Sequence, residues 1–261
     1  MNETQINDEQ ENGTPYPPQP SNPPPRVQAR FIFRAGNSFV AISIIIVTIT
    51  IFILQLASDS LLGNDILFIY GGKINEFIQA GQYWRLITPV FLHGSITHLL
   101  FNMYALYVIG KGLELYYGHL EFTLLYFIAG IGGTLFSYFL TPNPALGASG
   151  AIFGLIAADA ILLYKNKEIL GPGAKSMLQR SIMIIVVNLV IGLSPGIDNW
   201  GHVGGMITGV VFAWFAGPMV FIERKPEEIL IHLKSSLTRS IQVGSLTLLV
   251  FAGLILFKSF Q

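Results

Sequence analysis

Long apolar stretches separated by short polar segments make up most of the chain. Two stretches, 39–56 and 244–257 with its flanks, are apolar throughout. Five more are shorter or are interrupted by glycine and polar residues: 97–109, 122–140, 149–164, 181–193 and 203–221. Because a helix needs about 20 apolar residues to cross a bilayer core, this pattern predicts seven transmembrane helices.

The segments outside these spans divide the chain into three parts. Residues 1–34 are rich in proline, asparagine and glutamine and contain no long apolar run, which predicts a disordered tail. Residues 35–222 form the predicted helical core, and 223–261 a linker with the seventh helix. Within the core, the connection 57–92 is too long for a simple turn, so we expect it to fold on or in the membrane interface.

The composition supports a membrane protein. Of the 261 residues, 52% are hydrophobic and 11% are charged, with a mean hydropathy of +0.57, whereas a soluble domain carries about 25% charged residues. The predicted fold class is therefore an all-α polytopic membrane protein. The formal net charge of +0 gives no reason to expect a nucleic-acid partner. Without cysteine there is no thiolate chemistry, and nothing in the sequence calls for a cofactor or a metal.

Basic residues predict the orientation. They cluster before span one, between spans four and five, and between spans six and seven, and seven spans put these clusters on one side. Since short cytoplasmic segments are enriched in Lys and Arg, we expect a cytoplasmic N-terminus and a C-terminus outside. Spans two, four and six then all begin near the outer face. Polar residues gather at those beginnings: His93, His98, Asn102, Ser149 and His202.

Ser149 lies in "GASGA" at the start of span four. A serine in a membrane helix often bonds a carbonyl one turn back or packs between helices, and the sequence is not the G-x-S-x-G elbow of soluble hydrolases. Gly147, however, allows a tight turn just before the helix. The span is also short, which indicates that the helix begins below the membrane surface, next to a wet cavity.

His202 begins span six and is followed by Gly205 and Gly209 on the same helix stripe. Taken alone, a histidine at a helix end is more often a satisfied interfacial residue than a general base. The glycines allow close approach to span four, which would bring His202 within hydrogen-bond reach of Ser149 as a general base. Phe153, one turn into span four, either stacks on the imidazole or packs as an ordinary core residue.

His98 and Asn102 are spaced i, i+4 and therefore share one face of span two. They form either an interhelical hydrogen bond or a donor pair for an oxyanion. The chain offers no carboxylate well placed for a triad: Asp159 is deeper in span four, and Asp198 is more suited to capping span six. The residues thus favour a Ser–His dyad, with Asp198 as the less favoured third member.

These motifs together resemble the rhomboid intramembrane serine proteases. The resemblance rests on His98-x-x-x-Asn102, on Gly147-Ala148-Ser149-Gly150 and on His202-x-x-Gly205-x-x-x-Gly209. The pair Trp84–Arg85 and the motif Gly110-x-x-x-Glu114 also match that family, so the resemblance covers roughly residues 38–220. Many relatives have Tyr where this chain has Phe153.

The resemblance implies a six-helix core with one additional C-terminal helix. It also implies Ser149 as nucleophile and His202 as base, with Asn102, His98 and the Ser149 N–H as oxyanion donors. The expected substrates are transmembrane proteins in the lipid bilayer. Two alternatives stay open: a rhomboid-like fold without protease activity that binds or chaperones membrane helices, and a transporter or metal-binding protein that uses His93, His98 and His202.

Overall fold

A helical bundle with a small sheet at one end forms the described part of the protein. The computed structural model describes residues 28–259. The helices are α1 (Phe39–Leu62), α2 (Ile66–Gly71), α3 (Asn75–Gln79), α4 (Ile96–Ala105), α5 (Lys111–Tyr117), α6 (His119–Leu140), α7 (Ser149–Lys165), α8 (Lys167–Leu170), α9 (Pro172–Ile191), α10 (Asn199–Ala216) and α11 (Leu237–Ser259). The strands are β1 (Gln28–Ile32), β2 (Met219–Arg224) and β3 (Glu228–Lys234). Short 3₁₀ helices occupy Tyr83–Leu86 and Thr88–Phe91, and a π-helical turn, Leu106–Gly110, joins α4 to α5.

The predicted all-α polytopic fold is confirmed, since each predicted span falls on a helix. Four helices are long and apolar enough to cross a membrane: Phe39–Leu62, His119–Leu140, Pro172–Ile191 and Leu237–Lys258. The other three spans correspond to α7, to α10 and to the continuous helix that α4, the π-helical turn and α5 form together. These three carry most of the candidate site residues.

Span six is shorter than predicted. We expected it to continue to residue 221, but α10 ends at Ala216 because Gly217 is extended, with φ −62° and ψ 152°. Pro218 follows, and the residue before a proline is pushed out of the helical region. The chain then enters β2.

The sheet was not predicted. It occupies the last part of the expected tail, the end of the predicted span six and part of the expected linker. β2 and β3 form an antiparallel hairpin, and β1 pairs with β3 in parallel. The last residues of the predicted tail and most of the predicted linker are therefore ordered by strand pairing, which gives their backbone groups partners. Residues 1–27, the rest of the predicted tail, lie outside the described residues. We call this end of the bundle the sheet end and the opposite end, where α7 and α10 begin, the site end.

Glu114 fixes the start of α1. Its side chain is fully buried, and its carboxylate accepts hydrogen bonds from the Val40 N–H at 3.0 Å and the Ala41 N–H at 2.8 Å. These are N–H groups of the first helical turn, which have no partner inside the helix. A carboxylate at a helix N-terminus also interacts favourably with the helix dipole. The Gly110-x-x-x-Glu114 motif therefore has a structural role at the sheet end.

Candidate active site

α7, which is surrounded by other helices, presents Ser149 as its first residue. The chain reaches it through Gly147, whose φ of +126° is a conformation that residues with a side chain rarely adopt. The Gly147 N–H donates to the Pro89 carbonyl at 2.8 Å. The predicted tight turn and the predicted helix start are both confirmed.

Backbone-to-backbone packing brings α10 against α7. A Cβ at Gly205 would collide with the Gly150 carbonyl, and a Cβ at Gly209 would collide with the Gly154 carbonyl. Any side chain at these glycines would therefore push the helices apart. This is the close approach that the small residues of the two predicted spans require.

Ser149 and His202 meet across this contact. The Ser149 Oγ lies 2.9 Å from the His202 Nε2, a distance suited to proton transfer between a hydroxyl and an imidazole. His202 is only 8% exposed. The two residues lie 53 positions apart in the sequence and come from different helices, so only the tertiary fold joins them.

Phe153 stacks on the His202 imidazole. The ring centroids are 4.3 Å apart and the planes differ by 11°, so the phenyl ring restricts the imidazole to one plane. The other imidazole nitrogen, Nδ1, is buried and has no hydrogen-bond partner among the described residues. Of the two interpretations of Phe153, the structure favours stacking on the histidine.

Asp198 and Asp159, the two carboxylates considered for a triad, have other partners. Asp198 caps α10, because its side chain accepts a hydrogen bond from the Gly201 N–H at 3.0 Å. Asp159 accepts from the Ser181 hydroxyl at 2.9 Å, farther along α7. Neither is a hydrogen-bond partner of His202. This agrees with the predicted Ser149–His202 dyad rather than with a triad that includes a carboxylate.

His98 lies beside the turn before Ser149. A Cβ atom added to Gly147 would lie 2.8 Å from the His98 Nε2 and 3.8 Å from the Ser149 Oγ. The His98 imidazole and the Ser149 hydroxyl are therefore both close to Gly147. Asn102 is nearly buried, and its amide donates to the His98 carbonyl at 3.1 Å. The face shared by His98 and Asn102 is thus present, while the Asn102 amide bonds within its own helix.

His93, which the sequence alone did not place, packs against His98. Their rings meet edge to face, with centroids 4.9 Å apart. The His93 backbone N–H donates to the Gln55 Oε1 of α1 at 3.0 Å, and the Gln55 Nε2 donates to Asp65 at 2.6 Å. Hydrogen bonds therefore link α1 to the His93 backbone, and ring packing extends this contact to His98. Gln55 within an apolar span was the signal in the sequence.

Trp84 and Arg85 lie in the connection after α1 and not at Ser149. Arg85 is buried and donates to the carbonyls of Gly72 at 2.8 Å and Ile69 at 2.7 Å, which belong to the C-terminal end of α2. Trp84 is half exposed and donates to the Tyr70 carbonyl. Both side chains satisfy carbonyls that a helix end leaves without partners, so they support the connection.

Lys73 is a buried residue that no pattern in the sequence singled out. It lines a small cavity beside Ser149 together with Thr134 and Asp198. Burial lowers the pKa of its ammonium from 10.5 to about 8, and the nearby Asp198 carboxylate opposes that shift. In the described part of the chain, no three His, Asp or Glu side chains form a group that could hold a metal ion.

The sequence is similar to known proteins over the region that contains this site. Residues 80–219 match the sequence profile of the Rhomboid domain. Rhomboid protease GluP of Bacillus subtilis (strain 168) is 37% identical over 180 residues, which cover 68% of this chain and 35% of that protein. RHOMBOID-like protein 9, chloroplastic, of Arabidopsis thaliana is 34% identical over 153 residues, covering 58% and 35%.

Rhomboid protease AarA of Providencia stuartii is similar over more of its length. It is 32% identical over 212 residues, which cover 72% of this chain and 75% of that protein. The chain spans only about a third of the length of GluP and of the Arabidopsis protein. Its apolar helices and the domain match identify an integral, multi-pass membrane protein, and the chain belongs to the rhomboid family.

Proposed function

We propose that this chain is a serine endopeptidase that cleaves peptide bonds in or near transmembrane segments of other membrane proteins. The observation that carries the proposal is the 2.9 Å contact between the Ser149 Oγ and the His202 Nε2, with the imidazole stacked on Phe153. Two of the relatives are named as rhomboid proteases, which supports the same activity.

In the proposed reaction, the Ser149 Oγ attacks the scissile carbonyl carbon while His202 Nε2 takes its proton. The tetrahedral intermediate then collapses, the C–N bond breaks, and Nε2 returns the proton to the leaving amine. Water hydrolyses the resulting acyl-enzyme with His202 again as base. The cavity beside Ser149, with Lys73, Thr134 and Asp198 in its wall, has polar groups suited to water.

The oxyanion is stabilised by three groups in this proposal. The Ser149 N–H belongs to the first turn of α7 and so lacks an acceptor within the helix. His98 lies next to Gly147, close to the hydroxyl, and Asn102 provides a second side-chain donor once its amide turns from the His98 carbonyl. Such donors are most effective where water is excluded.

The proposed orientation puts the site near the outer face, the N-terminus in the cytoplasm and the C-terminus outside. Among the basic residues of the described chain, only Lys73, Arg85 and Lys258 lie at the site end, and the others lie in the half of the bundle next to the sheet. This asymmetry supports a cytoplasmic sheet end. Substrates then need exposed backbone near the outer face, which small or helix-destabilising residues provide.

The test compares Ser149→Ala and His202→Ala with the native chain in cleavage of a reporter membrane segment and in labelling by a fluorophosphonate. We expect the serine variant to do neither. The histidine variant should lose at least about a hundredfold in rate, since a general base contributes about 10²–10⁴-fold. Ser194→Ala, at an exposed serine of the same end, should behave like the native chain.

Two outcomes would contradict the proposal. Cleavage or labelling that survives Ser149→Ala would assign the nucleophile elsewhere. A native chain that binds membrane segments but neither cleaves nor reacts with the fluorophosphonate would instead indicate a non-proteolytic binder.

A further inference from the structure

Residues 141–148 carry the chain from the end of α6 to Ser149. α6 ends at Leu140, so the carbonyls of its last turn have no partner within the helix. Residues 141–148 are nearly all outside helices and strands, and their own backbone groups need partners from other elements. The position of Ser149 depends on what supplies them.

Lys73 holds this segment at three successive points. Its Nζ donates to the Thr141 carbonyl at 2.9 Å and to the Asn143 carbonyl at 2.8 Å. Its main chain forms an antiparallel bridge with Ala145, with N···O distances of 2.9 and 3.0 Å. The next contact along the segment is the hydrogen bond between Gly147 and Pro89. The connection after α1 therefore lies alongside the segment up to the residue two before Ser149.

The end of α6 is also held by Lys258, from the last turn of α11. The Lys258 Nζ donates to the Tyr138 carbonyl at 3.1 Å and lies 4.0 Å from the centre of the Tyr138 ring. Asn75 donates to the same carbonyl at 3.3 Å and to the Thr141 carbonyl at 3.0 Å. The carbonyls of Tyr138, Thr141 and Asn143 thus receive donors from two different parts of the chain.

The Lys73 ammonium is unusual in being fully buried with main-chain carbonyls as its hydrogen-bond acceptors. Among the described residues, no carboxylate oxygen lies within 4.0 Å of its Nζ. A buried charge is costly unless hydrogen bonds compensate for its lost hydration. Because one Nζ reaches both carbonyls only when residues 141–143 keep their present shape, this contact selects a single conformation of the segment.

We propose that Lys73 and Lys258 are positioning residues for Ser149, which together hold the end of α6 and residues 141–148 so that α7 begins beside His202. Through Lys258, the seventh helix becomes part of the support of the active site. The expected effect on catalysis rests on the proposed protease function. The hydrogen bonds of Lys73 and Lys258 do not depend on that function.

The experiment uses the full chain with Lys73→Met and Lys258→Met, which keep most of the side-chain volume and remove the donors. The control is Lys175→Met, at an exposed lysine of α9 near the sheet end. Five quantities are measured: backbone deuterium uptake of residues 138–148, the rate of fluorophosphonate labelling, kcat and KM on the reporter segment, and the unfolding temperature. Deuterium uptake is also measured in the Ser149→Ala background.

For Lys73→Met we expect faster exchange at 138–148 and a fall of at least about tenfold in labelling rate and kcat, with KM changed less than about threefold. Displacements of about 1 Å at a reacting group cost on the order of a hundredfold in rate. For Lys258→Met, which loses one hydrogen bond, we expect about a three- to tenfold fall in kcat. The control should match the native chain.

Native exchange and a native labelling rate in Lys73→Met would overturn the proposal. If that variant does not fold, Lys258→Met decides, and values equal to those of Lys175→Met would overturn it. A lower unfolding temperature with an unchanged kcat and labelling rate would also overturn it, because the lysines would then contribute only to stability. If the proposed function is wrong, the native chain itself will show no labelling. The difference in deuterium uptake between the native chain and Lys73→Met would still test the contacts in that case.

Discussion

The central helices α7 and α10 and the outer helices α1 and α11 use their residues in opposite ways. α1 has 24 residues with a mean hydropathy of 2.7 over its most apolar window, of which 28% are buried, and the corresponding window of α11 is 17% buried. α7 has 17 residues, and all of those from Ala151 to Ala158 are buried. Apolar side chains of the outer helices therefore face lipid, whereas the central helices combine apolar side chains with glycine, alanine and polar groups.

The difference between these two pairs of helices teaches that a helix face in contact with another helix requires different residues from a face that meets lipid. Helix faces that lie directly against another helix need small residues for close packing, and polar side chains within the membrane find their partners at such contacts. The site consequently lies where the transmembrane signal is weakest. Substitutions of the same kind in the central and outer helices should then have very different effects.

The largest difference between the central and the outer helices is expected for substitutions of glycine. Gly205→Ala would put a methyl group against the Gly150 carbonyl and separate α7 from α10, so we expect loss of at least about a hundredfold in activity together with a lower unfolding temperature. Gly253→Ala in α11, where a Cβ meets nothing within 4 Å, should be neutral. Thermal unfolding in detergent and reporter cleavage measure both, and equal effects would contradict the comparison.

A smaller difference is expected for phenylalanine. Phe153→Leu keeps an apolar group beside His202 but removes the stacked ring, and such ring contacts contribute about 0.5–1.5 kcal/mol. The fluorophosphonate labelling rate should fall by about 2- to 12-fold. Phe257→Leu, at an exposed position of the outer helix α11, should leave it unchanged. A native rate in Phe153→Leu would show that the ring only fills space.

The smallest effect is expected at Asp198. Asn is as good a helix cap as Asp, so Asp198→Asn should change kcat by less than about threefold, whereas Asp198→Ala should lower stability by about 0.5–2 kcal/mol. Chemical denaturation and reporter cleavage separate the two quantities. A fall of a thousandfold in the Asn variant would instead make Asp198 a third member of the catalytic group.

Much of the site could be predicted from the sequence because its signals are local. Gly147, the helix start at Ser149 and the glycine stripe of α10 each follow from backbone requirements, and the topology puts three helix starts at one level. The Gly205 and Gly209 contacts then bring His202 to Ser149. The catalytic roles themselves stay a prediction.

Other features could not be predicted because they depend on partners far away in the sequence. In the sequence, Lys73 is one of several polar residues in a long connection. Only the fold brings the carbonyls of Thr141 and Asn143 to its ammonium group. The strands β1 and β3 are too short for their pattern to be distinguished from irregular chain, and they lie 200 positions apart. The end of α10 was missed because residues 219–221 continue its apolar run into a strand.

The parallel pairing of β1 with β3 has a consequence for the parity of the membrane crossings. Each of these strands leads directly into a helix, α1 in one case and α11 in the other. Two helices that depart from one sheet begin on the same side of the membrane, so the number of crossings from the first of them to the last must be odd. The pairing of two short strands therefore supports the proposed placement of the two ends of the described chain on opposite faces of the bilayer, independently of where the basic residues lie.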